Sequence, residues 1–464
     1  MASNWSGKRI VVMGAARQGL ALTRYLVHKG ADVTLTDCRS EVQLADTVNT
    51  LSNASVHWVL GNHPTEILDG KDLVCLSGGV SLTSPFVKEA QARQIPLSND
   101  SQLFLEVCPC KVIGITGSAG KTTTTALVGD MASAHMEIKQ TGRKVWVGGN
   151  IGNPLIDQVD QMHEDDLAIL ELSSFQLELM TRSPQVAAVL NISPNHLDRH
   201  LTMEAYRAAK AHILAFQSND DITILNREDV GSWDLLNEVK GELISFGIKA
   251  PPSHLNGTFI KRDRIYIQIG RDQIKMLPTD WISLHGQHNL LNVLAACAIA
   301  AGASISLPAI QTAIEDFDGV AHRLEFVRSY QGADWYNDSI ATAPERTMAA
   351  LRSFDNPVVL LLGGRDKDLP WQELMTLVRQ RVNHLIVFGE VAEKILGVLG
   401  SPLSGEKPYS VTHCQGLKQA VMSAARVART GDVVLLSPGG TSFDEFKDFE
   451  ERGEWFRTWV KELS

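Results

Sequence analysis

A chain of 464 residues has the length of about three domains, and its composition, 44% hydrophobic and 21% charged, is typical of a globular protein. The net charge of −10 argues against a general nucleic-acid binder, because such a protein needs a basic face to displace counterions. Six cysteines are too few for a disulfide framework, so we expect a reducing compartment. No apolar run reaches the roughly 18 residues that span a bilayer, so we expect no membrane insertion.

Three apolar strands that run into glycine turns are the main features in chain order. They begin at Arg9 (RIVVMGAARQG), Lys111 (KVIGITGSAGKT) and Pro357 (PVVLLLGGRDKD), and each is followed by a helix-length segment and further apolar strands. Continuous apolar strands that alternate with helices indicate parallel sheets covered by helices on both faces. The sequence therefore predicts an α/β protein with three domains.

The expected domains are residues 1–99, 100–319 and 320–464, with boundaries in PLSNDSQ and FDGVAHR. Residues 255–285 differ from their surroundings, because they contain short alternating strands separated by tight turns. This pattern predicts a small antiparallel patch inside the middle domain.

The segment before the second of these strands contains two cysteines. Cys108 and Cys110 form an isolated C-x-C, and no second pair of ligands is nearby in the sequence. A structural zinc ion needs four ligands, so we interpret these residues as buried or incidental thiols.

The second glycine turn, in VIGITGSAGKTTTT, resembles a phosphate-binding loop. Backbone N–H groups between a strand and a helix attract an anion, and the helix dipole adds to that attraction. Gly117 and Gly120 permit the tight turn. Lys121 can reach the outer phosphates of a nucleotide, and the Thr122 hydroxyl can bind Mg²⁺. The strict G-x-x-x-x-G-K-[ST] pattern is broken at Ile115, but the cradle consists of backbone amides, so we expect the loop to work.

Polar residues follow the ends of two predicted strands downstream of this loop. Glu171 ends LAILE, and His196 follows AAVLNIS. Alone, either residue would more often be structural, but ligands collect at the carboxyl ends of parallel strands, so we expect both at a magnesium site. Lys210, on the predicted helix MEAYRAAKAHILAF, is interpreted from its own pattern as a solvated helix lysine.

Several motifs in a fixed order give the chain a more specific resemblance. These are TGSAGKTT, ELSSFQLE, NHLDR with YRAAK, GQHNLLN, NDSIAT and SFDEFKDFEERG. In this combination the chain resembles the Mur ligase family over essentially its whole length, and ELSSFQLE and SFDEFKDFEERG are similar to the branch that adds D-glutamate. The resemblance implies a Rossmann-like N-terminal domain, a central P-loop mononucleotide-binding parallel sheet and a Rossmann-like C-terminal domain.

The resemblance also implies a reaction. Members of this branch use ATP and two Mg²⁺ ions to join D-glutamate to UDP-N-acetylmuramoyl-L-alanine through an acyl phosphate, during bacterial peptidoglycan synthesis. A carboxylate is a poor electrophile. Its conversion to an acyl phosphate supplies a good leaving group, so that an amine can attack the carbonyl carbon. The protein contributes mainly positioning and charge neutralisation. A monomer in the cytoplasm is the expected form.

In the central domain the resemblance assigns roles to the loop and to the strand ends. The implied catalytic residues are Lys121, His196 and Lys210, and Lys210 matches a carbamylated lysine, which would be an oxygen ligand for Mg²⁺. The implied metal ligands are Thr122, Glu171, His196 and Lys210. The implied nucleotide contacts are Gly117, Ser118, Ala119, Gly120, Lys121, Thr122, Thr123, Asn289, Arg323 and Asp338.

Substrate contacts are implied in the outer domains. In GAARQG, Ala16 occupies the middle glycine position of G-x-G-x-x-G, which disfavours NAD. The residues implied for the UDP-sugar are Gly14, Asp37, Arg39 and Gly79, with Asn150 between substrate and nucleotide. The residues implied for D-glutamate are Thr342, Lys367, Ser442 and Phe443, a set that offers one cation and neutral donors to two carboxylates.

Some positions depart from the family pattern. Ile340 and Ala343 stand where relatives carry lysine and asparagine, Gly78 replaces a proline, and GGRDKDLPW is a variant of the loop around Lys367. These departures concern contacts and leave the reaction class unchanged. The alternatives are a ligase for another amino acid, a folylpolyglutamate synthase, which lacks the first domain, and a P-loop nucleotide switch, which needs no amino-acid site.

Overall fold

The computed structural model describes residues 5–52, 54–194, 197–284, 286–400 and 405–464, with the backbone alone at 197 and 198. The chain divides into two compact units, Met1–Phe317 and Asp318–Ser464. Among the described residues, no helix combines the length and the apolar character needed to cross a bilayer. The three predicted strand-and-turn features begin or lie within three separate sheets, so the predicted α/β fold is confirmed.

The first sheet consists of parallel strands at the N-terminal end of the first unit. Its strands are β1 (Arg9–Met13), β2 (Asp32–Asp37), β3 (Val56–Leu60), β4 (Leu73–Leu76) and β5 (Leu97–Ser98). Their order is β3-β2-β1-β4-β5. The associated helices are α1 (Arg17–His28), α2 (Ala45–Asn49), α3 (Pro85–Ala92) and α4 (Asp100–Val107). β1 and β2 are buried except at their first residues, as expected of apolar strands covered on both faces.

The second sheet carries the predicted phosphate loop. Its strands are β6 (Lys111–Thr116), β7 (Val145–Gly149), β8 (Leu167–Glu171), β9 (Val186–Val189), β10 (Ile222–Asn226), β11 (Glu242–Phe246), β12 (Asn256–Ile260), β13 (Arg264–Ile269) and β14 (Asp272–Pro278). Their order is β14-β13-β12-β11-β10-β9-β6-β8-β7. β13 is antiparallel to both β12 and β14, which confirms the predicted antiparallel patch.

The helices of the second sheet follow the same alternation. They are α5 (Lys121–Ile138), α6 (Ser174–Leu177), α7 (Leu197–His200), α8 (Met203–Ala215), α9 (Val230–Trp233), α10 (Gln287–Gly302) and α11 (Leu307–Glu315). α10 is apolar nearly all round and is buried along most of its length, as expected of a helix in the interior of a large domain.

The second unit contains the third sheet. Its strands are β15 (Glu325–Tyr330), β16 (Ala333–Asn337), β17 (Val358–Gly363), β18 (Val382–Phe388), β19 (Ser410–Cys414) and β20 (Val433–Gly439), in the order β15-β16-β20-β17-β18-β19. All neighbours are parallel except β15 and β16. The helices are α12 (Pro344–Leu351), α13 (Gln372–Arg381), α14 (Ala392–Leu399), α15 (Leu417–Val427) and α16 (Phe449–Glu462).

One hydrophobic core joins the first two sheets. The buried side chains of this cluster come from α1, from α4 and from the segment after β7, and include Tyr25, Leu26, Phe104, Leu155 and Ile156. Burial of this shared apolar surface stabilises both sheets together. This contact was not predictable from the sequence, because it depends on which helix faces meet in space.

Candidate active site

The predicted phosphate loop connects β6 to α5. It runs from Gly117 to Gly120, and Lys121, Thr122 and Thr123 form the first turn of the helix. Gly120 has a φ of 83°, and a Cβ at this position would lie 2.2 Å from a side-chain oxygen of α10. The first N–H groups of α5 have no acceptor within the helix, so this turn suits an anion.

Two side chains outside the loop hold it in place. The N–H of Ala119 donates to Asn191 Oδ1 at 2.8 Å, and Asn191 Nδ2 donates to the Ala119 carbonyl at 3.0 Å. The Ser118 hydroxyl pairs with the Tyr206 hydroxyl at 3.1 Å. A loop fixed in this way loses little further freedom when it binds a ligand. Sequence reasoning missed Asn191 and Tyr206, although both stand in the motifs AAVLNIS and YRAAK.

Lys121 lies at the mouth of the loop. Its ammonium donates to the Gly117 carbonyl at 2.9 Å and to the Ser118 carbonyl at 3.4 Å, and the residue is only half-buried. A lysine ammonium is a compact point charge on a flexible stem. Rotation about the bonds of this stem would carry the ammonium from the loop carbonyls toward an anion bound at the start of α5.

Glu171 is the centre of a polar cluster at the carboxyl ends of β7 and β8. Its carboxylate accepts from the Thr122 hydroxyl at 2.8 Å and from Asn150 Nδ2 at 2.9 Å. Glu171 is 2% exposed. Gly149 has a φ of 103°, and a Cβ there would lie 2.4 Å from the Glu171 carbonyl, so glycine is required for this close approach. The structure thus brings three predicted site residues into one hydrogen-bonded group.

Lys210 is buried in the wall of the same site, so its interpretation as a solvated helix lysine is wrong. It is 1% exposed, and its ammonium donates to the Gly117 carbonyl at 3.0 Å and lies 3.4 Å from Thr116 Oγ1. Burial, followed by the charge of Lys121, lowers the pKa of Lys210 well below its usual value. Lys210 therefore loses its proton far more readily than an exposed lysine.

The donor set fits magnesium. The Glu171 carboxylate and the Thr122 hydroxyl are oxygen donors, which Mg²⁺ prefers, and both adjoin the phosphate loop. In the described part of the chain, no group of three or more His, Cys, Asp or Glu could hold a metal by itself. Mg²⁺ usually takes most of its ligands from water and substrate phosphates. His196 lies outside the described residues.

Asn289, predicted to face the nucleotide, is connected to the phosphate loop through one side chain. It lies in the first turn of α10, and its Oδ1 accepts from Asn292 Nδ2 at 3.2 Å. Asn292 is the residue whose oxygen lies closest to the Cβ position of Gly120. The start of α10 therefore lies beside the loop, as a nucleotide contact requires.

Arg199 connects the middle sheet to the first sheet. Its guanidinium donates to the carbonyls of Gly78, at 3.1 Å, and of Val80, and it lies 3.9 Å from the centre of the Phe175 ring. Gly79, a predicted substrate contact, is the central residue of the segment held in this way. Sequence reasoning missed Arg199, although it ends the quoted motif NHLDR.

Three of the residues predicted to bind the UDP-sugar, Gly14, Asp37 and Arg39, lie at or just after the carboxyl ends of β1 and β2. Both carboxylate oxygens of Asp37 accept from the Arg39 side chain, at 2.9 and 2.8 Å, and one accepts from the N–H of Ala15 at 2.8 Å. Burial opposes ionisation, but these hydrogen bonds hold the pKa of Asp37 well below its usual range. The Gly14 carbonyl accepts from the Ser77 hydroxyl at 3.0 Å, which joins this edge to the end of β4.

The predicted residues of the second unit follow three neighbouring strands. Asp338 and Thr342 follow β16, Lys367 follows β17, and Ser442 and Phe443 follow β20. Because these strands are parallel neighbours, their carboxyl ends share one edge of the sheet. Ser442 is buried, Thr342 is half-buried, and Lys367 and Phe443 are exposed.

Several charges surround this edge. Although Lys367 is exposed as a whole, neighbouring groups exclude part of the water around its ammonium, and this desolvation, together with the nearby guanidiniums of Arg346 and Arg452, lowers its pKa. Burial raises the pKa of Asp338 to about 7, although Ser437 and Arg323 oppose the shift. The positive charge of Arg346 acts to lower the pKa of both Lys367 and Asp338. The predicted residues therefore lie around one cationic region. Sequence reasoning missed Arg346 and Arg452.

Asp338→Asn is expected to stabilise the protein at pH 8. Burial raises the pKa of this carboxyl in the folded protein to about 7, above its value in the unfolded chain. The contribution of Asp338 to the free energy of unfolding is therefore fully present below the unfolded pKa and is lost as the pH rises through about 7. The amide keeps the acceptor for the Leu324 N–H and can donate to Ser437. We expect the free energy of unfolding to rise by about 2–4 kcal/mol at pH 8 and to change little near pH 4, measured by calorimetry.

Asp334→Asn is the matched control, because Asp334 lies on β16 and is half-buried. This variant is expected to show no comparable gain. An Asp338→Asn gain that is the same at pH 8 and near pH 4 would contradict the assignment of a raised pKa to this carboxyl.

Three family models match the chain. They are "Mur ligase MurD-like, N-terminal domain" at residues 8–99, "Mur ligase middle domain" at 115–300 and "Mur ligase, glutamate ligase domain" at 322–440. Two curated relatives carry the name UDP-N-acetylmuramoylalanine--D-glutamate ligase. The relative from Symbiobacterium thermophilum is 39% identical over 98% of both chains, and that from Koribacter versatilis is 38% identical over 99% of this chain and 98% of its own.

Solved structures share the fold. A UDP-N-acetylmuramate-alanine ligase from Thermotoga maritima has a TM-score of 0.55 at 18% identity and covers 98% of this chain and 99% of its own. A MurF structure from Acinetobacter baumannii has a TM-score of 0.56 at 16% identity and covers 98% of this chain and 93% of its own.

Proposed function

We infer that this chain, which belongs to the Mur ligase family, joins D-glutamate to UDP-N-acetylmuramoyl-L-alanine at the expense of ATP in peptidoglycan synthesis. It is an ATP-dependent ligase and releases ADP and phosphate. The observation that carries the proposal is the cluster at the phosphate loop: Thr122 and Asn150 both bond to Glu171, and the amine of Lys210 is buried next to the loop. This cluster can bring together the phosphates of a nucleotide, a metal ion and the carboxylate of a substrate.

The proposed chemistry is activation of a carboxylate. Transfer of the γ-phosphoryl group to the terminal carboxylate of the sugar-peptide gives an acyl phosphate, and the amine of D-glutamate then displaces phosphate. Lys121 and the N–H groups at the start of α5 hold the transferring phosphate and neutralise its charge. Mg²⁺, when bound, screens the phosphate oxygens and supplies Lewis-acid polarisation. Glu171 and Thr122 would hold that ion, with Asn150 orienting the carboxylate.

We further propose two magnesium ions. The first would be held by Thr122 and Glu171, and the second by His196 and a carbamylated Lys210. The burial and lowered pKa of Lys210 support this assignment, because only the neutral amine reacts with CO₂ to form a carbamate.

We propose that each of the three predicted domains binds a different ligand. Residues 1–99 would bind the UDP-sugar through Gly14, Asp37, Arg39 and Gly79, and residues 100–319 would bind ATP. Residues 320–464 would bind D-glutamate through Thr342, Lys367, Ser442 and Phe443, and Arg323 and Asp338 would reach the nucleotide. The cationic region around Lys367 supports a dicarboxylate ligand. We propose a monomer in the bacterial cytoplasm, where ATP and UDP-linked precursors are available.

The proposal is tested by incubating the protein with ATP, Mg²⁺, UDP-N-acetylmuramoyl-L-alanine and one amino acid at a time. Phosphate release is expected with D-glutamate and not with L-glutamate, L-lysine or meso-diaminopimelate. Product mass should rise by one glutamyl residue. Phosphate release that is independent of the amino acid, or specific for another amino acid, would overturn the assignment.

Arg199→Ala is expected to raise the KM for the UDP-sugar by about tenfold and to change kcat less than about threefold. The reason is that the Arg199 guanidinium donates to the carbonyls of Gly78 and Val80 and so holds this segment in position. Steady-state kinetics with varied UDP-sugar measure this effect. Arg207→Ala is the control, because Arg207 is exposed and pairs with Asp234. A large fall in kcat at unchanged KM would contradict the positioning role.

A further inference from the structure

Cys108 and Cys110 lie where the first two sheets are joined. α4 ends at Val107 and β6 begins at Lys111, so Pro109 and the two cysteines form the whole connection. The two Sγ atoms are 3.4 Å apart. The sequence predicted buried or incidental thiols. Cys110 is buried, and two thiols this close form a vicinal pair.

The two thiols differ in access and in acidity. Cys108 is partly exposed, whereas Cys110 is only 4% exposed. The hydrogen bond from the Cys110 thiol lowers the pKa of Cys108, and the same contact together with burial raises the pKa of Cys110. The thiolate is the reactive form of cysteine, so the accessible sulfur is also the more nucleophilic one.

We propose that Cys108 and Cys110 are a redox-active dithiol that closes to a disulfide when a hydroperoxide oxidises Cys108. The Cys108 thiolate attacks a peroxide oxygen and becomes a sulfenic acid, while the O–O bond breaks and the other oxygen leaves as water or an alcohol after protonation. The Cys110 thiol then attacks the sulfenic sulfur, the S–O bond breaks, and water leaves. Two electrons pass from the two sulfurs to the peroxide.

The geometry favours this pair over the other cysteines. The Sγ atoms need to approach by about 1.4 Å to reach the S–S bond length of about 2.05 Å. Cys75, Cys297 and Cys414 are at most 2% exposed, so an oxidant in solvent does not reach them directly. Cys38 is exposed and serves as an internal reference for the same oxidant.

The disulfide would fix the connection between α4 and β6. β6 ends in the phosphate loop, and α4 packs in the core shared by the first two sheets. The proposed site is independent of the ligase assignment, because it rests on the cysteine pair alone and no substrate takes part.

The test is peptide mapping after brief treatment of the full chain with hydrogen peroxide. Trypsin cleavage after Arg93 and Lys111 gives a peptide, residues 94–111, that contains Cys108 and Cys110 and no other cysteine. We expect this peptide to lose the mass of two hydrogen atoms and to resist iodoacetamide until dithiothreitol is added. In Cys110→Ser, we expect Cys108 to remain as a sulfenic acid that dimedone labels.

The peptide of residues 30–39 contains Cys38 alone and reports how far the oxidant has acted. Peptide 94–111 that stays doubly alkylated while Cys38 is oxidised would overturn the proposal. Oxygen addition to Cys108 without loss of two hydrogens in the unsubstituted protein, or disulfides formed only between molecules, would also overturn it.

Discussion

Lys121→Ala is expected to lower kcat for ligation by about 10³-fold while the protein stays folded. Lys121 supplies a positive charge at the mouth of the phosphate loop, where its ammonium lies 2.9 Å from the Gly117 carbonyl. The residue is half-buried and starts an 18-residue helix, so alanine, the strongest helix former, is tolerated there. Phosphate release measured under saturating substrates gives kcat, and circular dichroism checks the fold.

Lys111→Ala is the matched control for this prediction. Lys111 is an exposed lysine at the opposite end of β6, so its removal changes the net charge equally without touching the loop. We expect its activity to stay within about twofold of the unsubstituted enzyme. If Lys121→Ala retains full activity, the loop does not handle a reacting phosphate and the proposed role is wrong.

Lys210→Ala is expected to lower kcat by at least about 10²-fold, because it removes the proposed anionic metal ligand. The side chain is 1% exposed, so its truncation leaves a cavity beside the Gly117 carbonyl. A short carboxylic acid can enter this cavity and replace the carbamate. We therefore expect acetate or propionate to restore part of the activity in a concentration-dependent way.

Rescue of Lys210→Ala by an amine, and not by a carboxylic acid, would contradict the carbamate assignment. If propylamine restores Lys210→Ala and propionate does not, the reaction needs the ammonium itself. Lys210→Arg gives a second check, because it keeps a cation near the site but cannot be carbamylated, so we expect it to be as inactive as Lys210→Ala. High activity of Lys210→Arg would exclude the carbamate.

The sequence predicted the fold and the phosphate loop because both depend on local patterns. Continuous apolar strands, alternating with helix-length segments, specify parallel sheets, and the turn that leads to Lys121 specifies a strand–loop–helix unit. The end of β8 also placed Glu171 at the correct edge of the sheet. These features need no knowledge of which distant residues meet.

Other features depend on tertiary contacts and were not predictable. Lys210 has the pattern of an exposed helix residue, and only the packing of α8 against the loop shows that it is buried. Arg199 reaches the Gly78–Val80 segment from another sheet, a contact that no spacing in the sequence encodes. The proximity of Cys108 and Cys110 depends on the backbone path through Pro109. His196 lies outside the described residues, and its metal role stays a prediction.

The most direct test of the central claim follows the carboxylate oxygens of the substrate. UDP-N-acetylmuramoyl-L-alanine is labelled with ¹⁸O in its terminal carboxylate and is incubated with the protein, ATP, Mg²⁺ and D-glutamate. If the carboxylate takes the γ-phosphoryl group, the released phosphate carries one ¹⁸O from the substrate for each amide bond formed. Unlabelled phosphate would show that ATP is hydrolysed by water, as in a nucleotide switch, and would contradict the acyl-phosphate account.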